Sequence, residues 1–347
     1  MSKVLVTGCA GFIGAHLTKR LLDTGNEVWG IDNLSRKGSE VNLDWIRLGG
    51  ASSNFTFYRS DIRDYEKIAT IFKAEGPFDL IVHEAAQVAV TTSVLNPRED
   101  FEINALGTFN MLEATRLYSP NGCFIFASTN KVYGDMKSLD VIERNSRYEY
   151  KSLIKGVDEK FPLDFHSPYG CSKGSADQYV RDYHRIYDLD TVVLRQSCIY
   201  GTQQYGVEDQ GWVAWFTIAS ILDKPITIYG DGMQIRDILW IDDLVDLYLS
   251  VFDNREKVSG EVFNVGGGPE NTLSLLELVA NLKNEGVLEG PMNHDEWRPG
   301  DQKVFVGSIE KIYAAIGWSP RTNPTEGINK LIKWVKQNKN LLENTLK

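Results

Sequence analysis

Cysteine, basic charge and long apolar runs are scarce in this chain, and each shortage closes off a class of protein. Only four cysteines occur, Cys9, Cys123, Cys171 and Cys198, with no C-x-x-C pair and no histidine pattern beside them. They read as reduced core or pocket residues rather than disulfides or a zinc site, so no metal is expected. Acidic residues outnumber basic ones by 47 to 37, a formal net charge of −10. Neither nucleic acid nor an anionic membrane is therefore expected as the main partner. A bulk figure of this kind leaves room for a local cationic pocket. No apolar stretch is long enough to span a bilayer, and Met1-Ser2-Lys3 runs straight into a strand pattern without signal-peptide features. The expectation is a cytoplasmic protein. Internal repeats and low-complexity segments are also missing. What remains is 347 residues, 42% hydrophobic and 24% charged, an ordinary globular composition with chain enough for two domains.

The start of the chain carries the first motif. Lys3 to Thr7 reads as a short buried strand running into Gly8-Cys9-Ala10-Gly11-Phe12-Ile13-Gly14, after which Leu17, Leu21 and Leu22 recur at helical spacing. Strand, glycine turn and helix form the context of a dinucleotide-binding loop. The glycines allow a tight turn and a close approach of pyrophosphate to backbone at a helix N-terminus. The spacing is G-x-x-G-x-x-G rather than G-x-G-x-x-G. A second strand, Glu27 to Ile31, ends at Asp32, 18 residues past Gly14, where a carboxylate can accept bonds from ribose hydroxyls. Asp32 favours NAD over its 2′-phosphorylated form, although Arg36 and Lys37 follow closely.

Ser167-Pro168-Tyr169-Gly170-Cys171-Ser172-Lys173 carries the second motif. On a helix, Tyr169 and Lys173 lie one turn apart on one face. The ammonium is then expected to pull the phenol below its usual pKa of about 10. A tyrosine so tuned takes a proton from an alcohol while hydride leaves for a nicotinamide. Taken alone, the pair fits an ordinary surface helix better than a catalytic one.

Further strands are expected at Asn54 to Arg59, Phe78 to His83, Gly122 to Ala127 and Asp190 to Arg195, with helices such as Asn104 to Leu117 and Lys173 to Tyr187 between them. This alternation predicts an α/β fold, a Rossmann-type doubly wound parallel sheet with its ligand crevice at the strands' carboxyl ends. The remainder suggests a smaller mixed α/β substrate domain. The expected division is 1–200 plus about 237–265 for the first domain, and about 201–236 plus 266–347 for the second. Residues 137–165 form a polar insertion, read equally as a surface excursion or as a lid.

TGCAGFIG, Asp32-Asn33, Asp61-Ile62, His83-Glu84-Ala85-Ala86, Asn104, Tyr169 with Lys173, and GDGMQIRD followed by Asp242-Asp243 together resemble the extended short-chain dehydrogenase/reductases, the nucleotide-sugar epimerases and dehydratases. The likeness covers nearly the whole chain. It implies a tightly bound NAD held by the Gly8, Gly11, Phe12, Ile13 and Gly14 loop, by Asp32, Asn33, Ser35 and Arg36, and by Asp61 and Ile62. Ala85, Ala86, Gln87, Asn104, Ser128 and Gln196 would complete that site together with Tyr169 and Lys173. It also implies a catalytic triad of Thr129, Tyr169 and Lys173, with Thr129 bonding the reacting oxygen. Arg236 and Arg298 stand where the family binds a sugar diphosphate, a task that suits the planar guanidinium fork; Asp301 lies in the Arg298-Pro299-Gly300-Asp301 motif.

Dehydratases of this family carry an Asp-Glu pair directly after the threonine. Asn130-Lys131 stands there instead and cannot supply the carboxyl acid and base that loss of water needs. Cys198 replaces the asparagine of simple galactose-type 4-epimerases. Longer blocks, Gln87 to Ser93, Ser128 to Gly134, Leu163 to Gly174 and Asp209 to Val213, resemble the branch that inverts carbon 2 of CDP-linked deoxyhexoses. On that resemblance Val88, Thr129, Asn130, Cys198, Gln210, Gly211, Arg236, Arg298 and Asp301 are the expected substrate contacts. Another epimerase of UDP- or CDP-hexoses, acting at carbon 2 or 4, and a non-catalytic nucleotide sensor stay open. Paired family helices commonly build a homodimer, with Asn104 to Leu117 and Lys173 to Tyr187 as the candidates.

Overall fold

Short apolar strands alternate with amphipathic helices through the first half of the chain. The computed structural model describes residues 1–50, 52–298 and 301–346, so Pro299 and Gly300 lie outside the described residues. In order come β1 (Lys3–Thr7), α1 (Phe12–Asp23), β2 (Glu27–Asp32), α2 (Ser39–Arg47), β3 (Phe55–Arg59), α3 (Tyr65–Glu75), β4 (Leu80–His83), α4 (Val90–Leu95), α5 (Pro97–Phe101), α6 (Gly107–Tyr118) and β5 (Cys123–Thr129). Next are β6 (Val141–Arg144), β7 (Arg147–Tyr150), α7 (Ser167–Tyr187), β8 (Thr191–Gln196), β9 (Cys198–Tyr200), α8 (Trp212–Ile221), β10 (Thr227–Tyr229), β11 (Ile235–Trp240), α9 (Ile241–Asp253) and β12 (Val262–Val265). The last strands are β13 (Thr272–Ser274), β14 (Asn293–Asp295) and β15 (Val304–Phe305).

Seven strands form one sheet in the order β12-β8-β5-β4-β1-β2-β3, every pair parallel. Helices cover both faces, so β4 and β5 are buried at every residue and their sequences run apolar instead of alternating. The strand order reverses between β1 and β4, which opens the crevice at their carboxyl ends. Among the described residues, no helix is long and apolar enough to cross a membrane.

Two helices begin differently from their patterns. The expected Asn104 helix opens as a π-helical segment, Glu102–Leu106, before α6. A Cβ on Gly107 would lie 2.5 Å from Ile62 Cδ1, so the glycine lets this turn close against the loop after β3. Helix α7 starts at Ser167, earlier than Lys173, because Pro168 suits a first helical turn whose amide has no intrahelical acceptor.

Beyond the large sheet, β11 is shared between two pairings. Its first half pairs with β13 and β15, and its second half with β9. Helix α9 packs on α1, and β12 returns to the edge of the large sheet beside β8. One apolar core runs from Val4 in β1 to Leu342 near the C-terminus, tying the later segments to the sheet.

The 137–165 insertion is bound down at many points. Its β6–β7 hairpin places Arg147 in a bidentate pair with Glu277, both bonds 2.7 Å, and the Tyr148 amide donates to Met233 O at 2.9 Å. The Tyr150 hydroxyl donates to Val304 O, and Val157 exchanges backbone bonds with Val306 and Ser308. Tyr148 also packs against Ile235, Val304 and Val306.

Candidate active site

The glycine loop closes against two neighbouring strand ends. Gly8 has φ +68°, and a Cβ there would sit 2.7 Å from Ala85 N; a Cβ on Gly14 would sit 2.1 Å from Gly8 O. Both positions therefore exclude any larger residue. Helix α1 begins with Gly11 as its cap, which makes no side-chain capping bond, and no acidic residue stands in its first turn. Its leading amides thus suit an anion, as a dinucleotide's pyrophosphate would be. At the end of β2 the Asp32 carboxylate accepts bonds from Ala10 N (3.0 Å) and Leu34 N (2.8 Å), and burial raises its pKa. This fixed carboxylate fits ribose hydroxyls and repels an added 2′-phosphate.

A single cleft gathers most of the expected cofactor residues: Gly8, Gly11, Phe12, Ile13, Gly14, Asp32, Asn33, Ser35, Arg36, Asp61, Ile62, Ala85 and Ala86 all line it. Arg63 holds Asp61 through two bonds of 2.8 and 2.9 Å and keeps its pKa down at about 2, while Asn33 donates to the same carboxylate. The remaining expected residues stand behind or beside this lining. Asn104, 1% exposed, spends its amide on Gln87 O, Asp100 and Ser172, and its carbonyl accepts from Gln87 N. Ser128 donates to Asp177 at 2.8 Å, and Gln196 donates to the Tyr248 oxygen at 2.8 Å.

Thr129, Tyr169 and Lys173 are brought together by β5 and α7 and are all buried. The Thr129 hydroxyl donates to Asn130 Oδ1 at 3.3 Å, accepts from Lys131 N at 3.2 Å, and draws the Tyr169 phenol toward its ionised form. The expected effect of the lysine on that phenol requires a correction. Burial pushes Tyr169 up to about 12, opposed by Thr129 and helped by the Asp100 charge. The Lys173 ammonium donates to Ala127 O at 2.5 Å and lies 4.2 Å over the Phe126 ring, and burial lowers its own pKa to about 8. Desolvation outweighs helical spacing at this pair.

Of the expected substrate residues, Val88 and Gln210 line the same cleft, and the Arg36 guanidinium bonds the Gln210 side chain. Gly211 caps α8 with φ 74°, and Asn130 is buried beside Thr129. Arg236, 8% exposed, pairs with Asp301 at 2.6 Å. Arg298 stacks 3.8 Å from the centre of the Tyr229 ring and pairs with Asp209 at 3.2 Å. Arg298 and Asp301 border a second cavity, together with Tyr150 of the insertion and Trp297. Half-buried Cys198 opens β9, its thiol pushed up by burial and pulled back by Arg236, Trp212 and Lys131.

Sequence patterning gave no role to three features of this region. Lys131 falls in one charge cluster with Arg236, Asp301 and Cys198, and burial lowers its pKa to about 8; its place directly after Asn130 was the available signal. Glu84 lines the main cleft. Asp177 and Arg195 form a buried pair under the site, with bonds of 2.9 and 3.0 Å.

The family profile described as GDP-mannose 4,6 dehydratase matches residues 5–331. The chain belongs to this family. Among its curated relatives, CDP-paratose 2-epimerase of Salmonella typhi is 44% identical over 96% of this chain and 98% of the relative. Among solved structures, UDP-glucose 4-epimerase of Thermotoga maritima with UDP-glucose superposes with a TM-score of 0.81 at 30% identity, covering 97% of this chain and 99% of the other. UDP-glucuronic acid 4-epimerase of Bacillus cereus, in complex with UDP-glucuronic acid and NAD, gives 0.80 at 28% identity over 96% and 99%. Sheet, glycine loop and tyrosine helix are thus those of a GDP-mannose 4,6 dehydratase family member in which Asn130-Lys131 follows the site threonine.

Proposed function

We propose that this protein inverts carbon 2 of a CDP-linked deoxyhexose, of the CDP-paratose and CDP-tyvelose type. The chain is an NAD-dependent nucleotide-sugar epimerase, an isomerase, and the carbon-2 assignment narrows that activity. One observation carries the narrower reading: the 44% identity to a CDP-paratose 2-epimerase along almost the whole of both chains. The division at 1–200 plus about 237–265, with the rest binding the nucleotide sugar, belongs to the same proposal.

Bound NAD supplies a hydride acceptor that returns the hydride within one turnover. Gly8, Gly11 and Gly14 with the α1 amides would hold its pyrophosphate, and Asp32 its adenosine ribose. Tyr169, once ionised, accepts the proton of the carbon-2 hydroxyl as that carbon is oxidised and gives it back on reduction, with Thr129 bonding the same oxygen. The 2-keto sugar presents its other face for reduction while Arg236 and Arg298 retain the diphosphate. For this to occur, Arg236 exchanges its Asp301 partner for phosphate oxygen, a charge-assisted bond of comparable geometry. Asn130 and Lys131 offer no carboxyl group for eliminating water.

A panel of CDP-, UDP- and GDP-sugars read by proton NMR tests this. Inversion is expected at carbon 2 of CDP-paratose or CDP-tyvelose, with deuterium at that carbon retained. Inversion at carbon 4 of a UDP-hexose, with CDP-deoxyhexoses untouched, would refute the assignment.

A homodimer through α6 and α7 completes the proposal. Phe109, Leu117, Tyr179, Ile186 and Tyr187 are 37–65% exposed on these helices, more apolar surface than single scattered residues present. Phe109→Glu combined with Tyr179→Glu is expected to convert a dimer into a monomer in light scattering. A monomeric parent protein would contradict this part.

A further inference from the structure

Strand β4 delivers a carboxyl group to the cleft that the chemistry above leaves unused. Glu84 lines the cleft, and its amide donates to Thr7 O at the end of β1 at 3.2 Å. Its carboxylate accepts the Tyr248 hydroxyl of α9, whose oxygen in turn accepts Gln196 Nε2 at the end of β8. Tyr248 thus holds the carboxylate directly, with Gln196 holding Tyr248 and β1 the Glu84 backbone. The sheet register brings together the strand ends that hold this carboxylate and the site lysine. The last registered pair of β4 is His83 with Phe126; Glu84 follows it with its carboxylate on Tyr248, while Lys173 reaches the carbonyl of Ala127, the residue after Phe126, from the α7 side, 4.2 Å over the Phe126 ring.

An ammonium that is 3% exposed needs counter-charge to stay protonated. Two other acidic groups add to that charge to a smaller degree. Asp177, on the same helix, is held by Arg195 and Ser128; Asp100 of α5 takes Ser172, Gln87 and Asn104. His83, below, is a neutral imidazole bonded to Thr7 and Thr108, its pKa lowered to about 3 by burial.

We infer that Glu84 is a positioning residue for the reaction: it is the counter-charge that keeps Lys173 an ammonium, and Tyr248 with Gln196 holds that carboxylate in place. The titration of the pair agrees. Burial lowers Lys173 to about 8, and Glu84 is foremost among the charges that raise it, ahead of Asp177 and Asp100. Burial lifts Glu84 to about 7, while Tyr248 and Lys173 draw it down. Below its pKa the lysine is charged, and the charge is lost as pH rises through that value. Removing Glu84 brings the loss to lower pH.

This inference rests on the reading that Lys173 serves the hydride-transfer site, so one readout is taken without turnover. Acetylation of Lys173 by limiting acetic anhydride, followed by mass spectrometry across pH, reports the neutral amine in the full-length protein. In Glu84→Gln the labelling midpoint is expected to fall by roughly one pH unit. The alkaline limb of kcat should fall with it, and KM should change little. Tyr248→Phe leaves Glu84 harder to ionise, so a smaller shift in the same direction is expected, which also covers failure of Glu84→Gln to fold. A natively folded Glu84→Gln protein whose midpoint does not move overturns the inference, as does an unmoved midpoint in Tyr248→Phe if Glu84→Gln cannot be obtained. A midpoint that moves while the kcat limb stays fixed overturns the role in the reaction, and the assignment of Lys173 with it, but leaves the electrostatic link standing.

Discussion

Tyr169→Phe is expected to lower kcat by about 10²–10⁴-fold, the usual contribution of a positioned acid–base group, with KM close to that of the parent. The change removes one oxygen and keeps the ring, which is 9% exposed and sits in the first turn of α7. The backbone there is anchored separately, by Tyr169 N donating to Ser93 Oγ at 3.2 Å, so the fold and the retained NAD should survive. Loss is confined to the proton step. Burial holds the free phenol up at about 12, so near neutral pH it begins as the acid form. Of its neighbours Thr129 favours the phenolate, while the Asp100 charge opposes it. Thr129→Val removes a hydroxyl that favours phenolate and should cost less than Tyr169→Phe. NMR rates with the productive substrate, with NAD content measured after acid denaturation, check both variants. A Tyr169→Phe enzyme working at more than a tenth of the parent rate would remove Tyr169 from the mechanism.

The sheet was readable because each strand of it leaves a local signature. Val4-Leu5-Val6 and Cys123 to Ala127 are apolar runs closed by glycine or small polar residues, and runs of that kind mark strands buried on both faces. The glycine loop was equally plain, since Gly8 and Gly14 meet backbone at distances no side chain tolerates. Charge balance was not legible. Helical spacing puts Tyr169 and Lys173 on one face, yet the sign of the phenol's shift is decided by burial under β5 and the α4–α5 segment, which no short window records. The insertion's place was hidden for a similar reason: Arg147 finds Glu277, and Tyr148 finds Asp231, across long stretches of chain. At the end of the π-helical segment before α6, Gly107 meets Ile62, again a tertiary contact that local spacing does not record.

The same limit hid the strongest ionic contact beneath the site, which leads to the second large effect. Asp177 and Arg195 are 0% and 2% exposed at their side chains. The guanidinium donates from Nε and Nη2 to the two carboxylate oxygens at 2.9 and 3.0 Å, and from Nη1 to the Tyr133 hydroxyl at 3.1 Å. Tyr133 then donates to Asn264 at 2.7 Å, and Asn264 donates to Val157 O of the insertion. Deleting one partner leaves a buried charge without compensation, which costs about 3–5 kcal/mol, whereas exchanging both for apolar groups of similar volume is often neutral or better. Asp177→Leu should therefore destabilise the protein by about 3–5 kcal/mol in urea unfolding, and Asp177→Leu with Arg195→Met by much less. Activity should separate the two variants differently. Ser128, next to Thr129, loses its Asp177 acceptor in both, so the doubly substituted protein should regain stability without regaining full kcat. Equal destabilisation of the single and double variants would show that packing around α7, and not the uncompensated guanidinium, governs the loss.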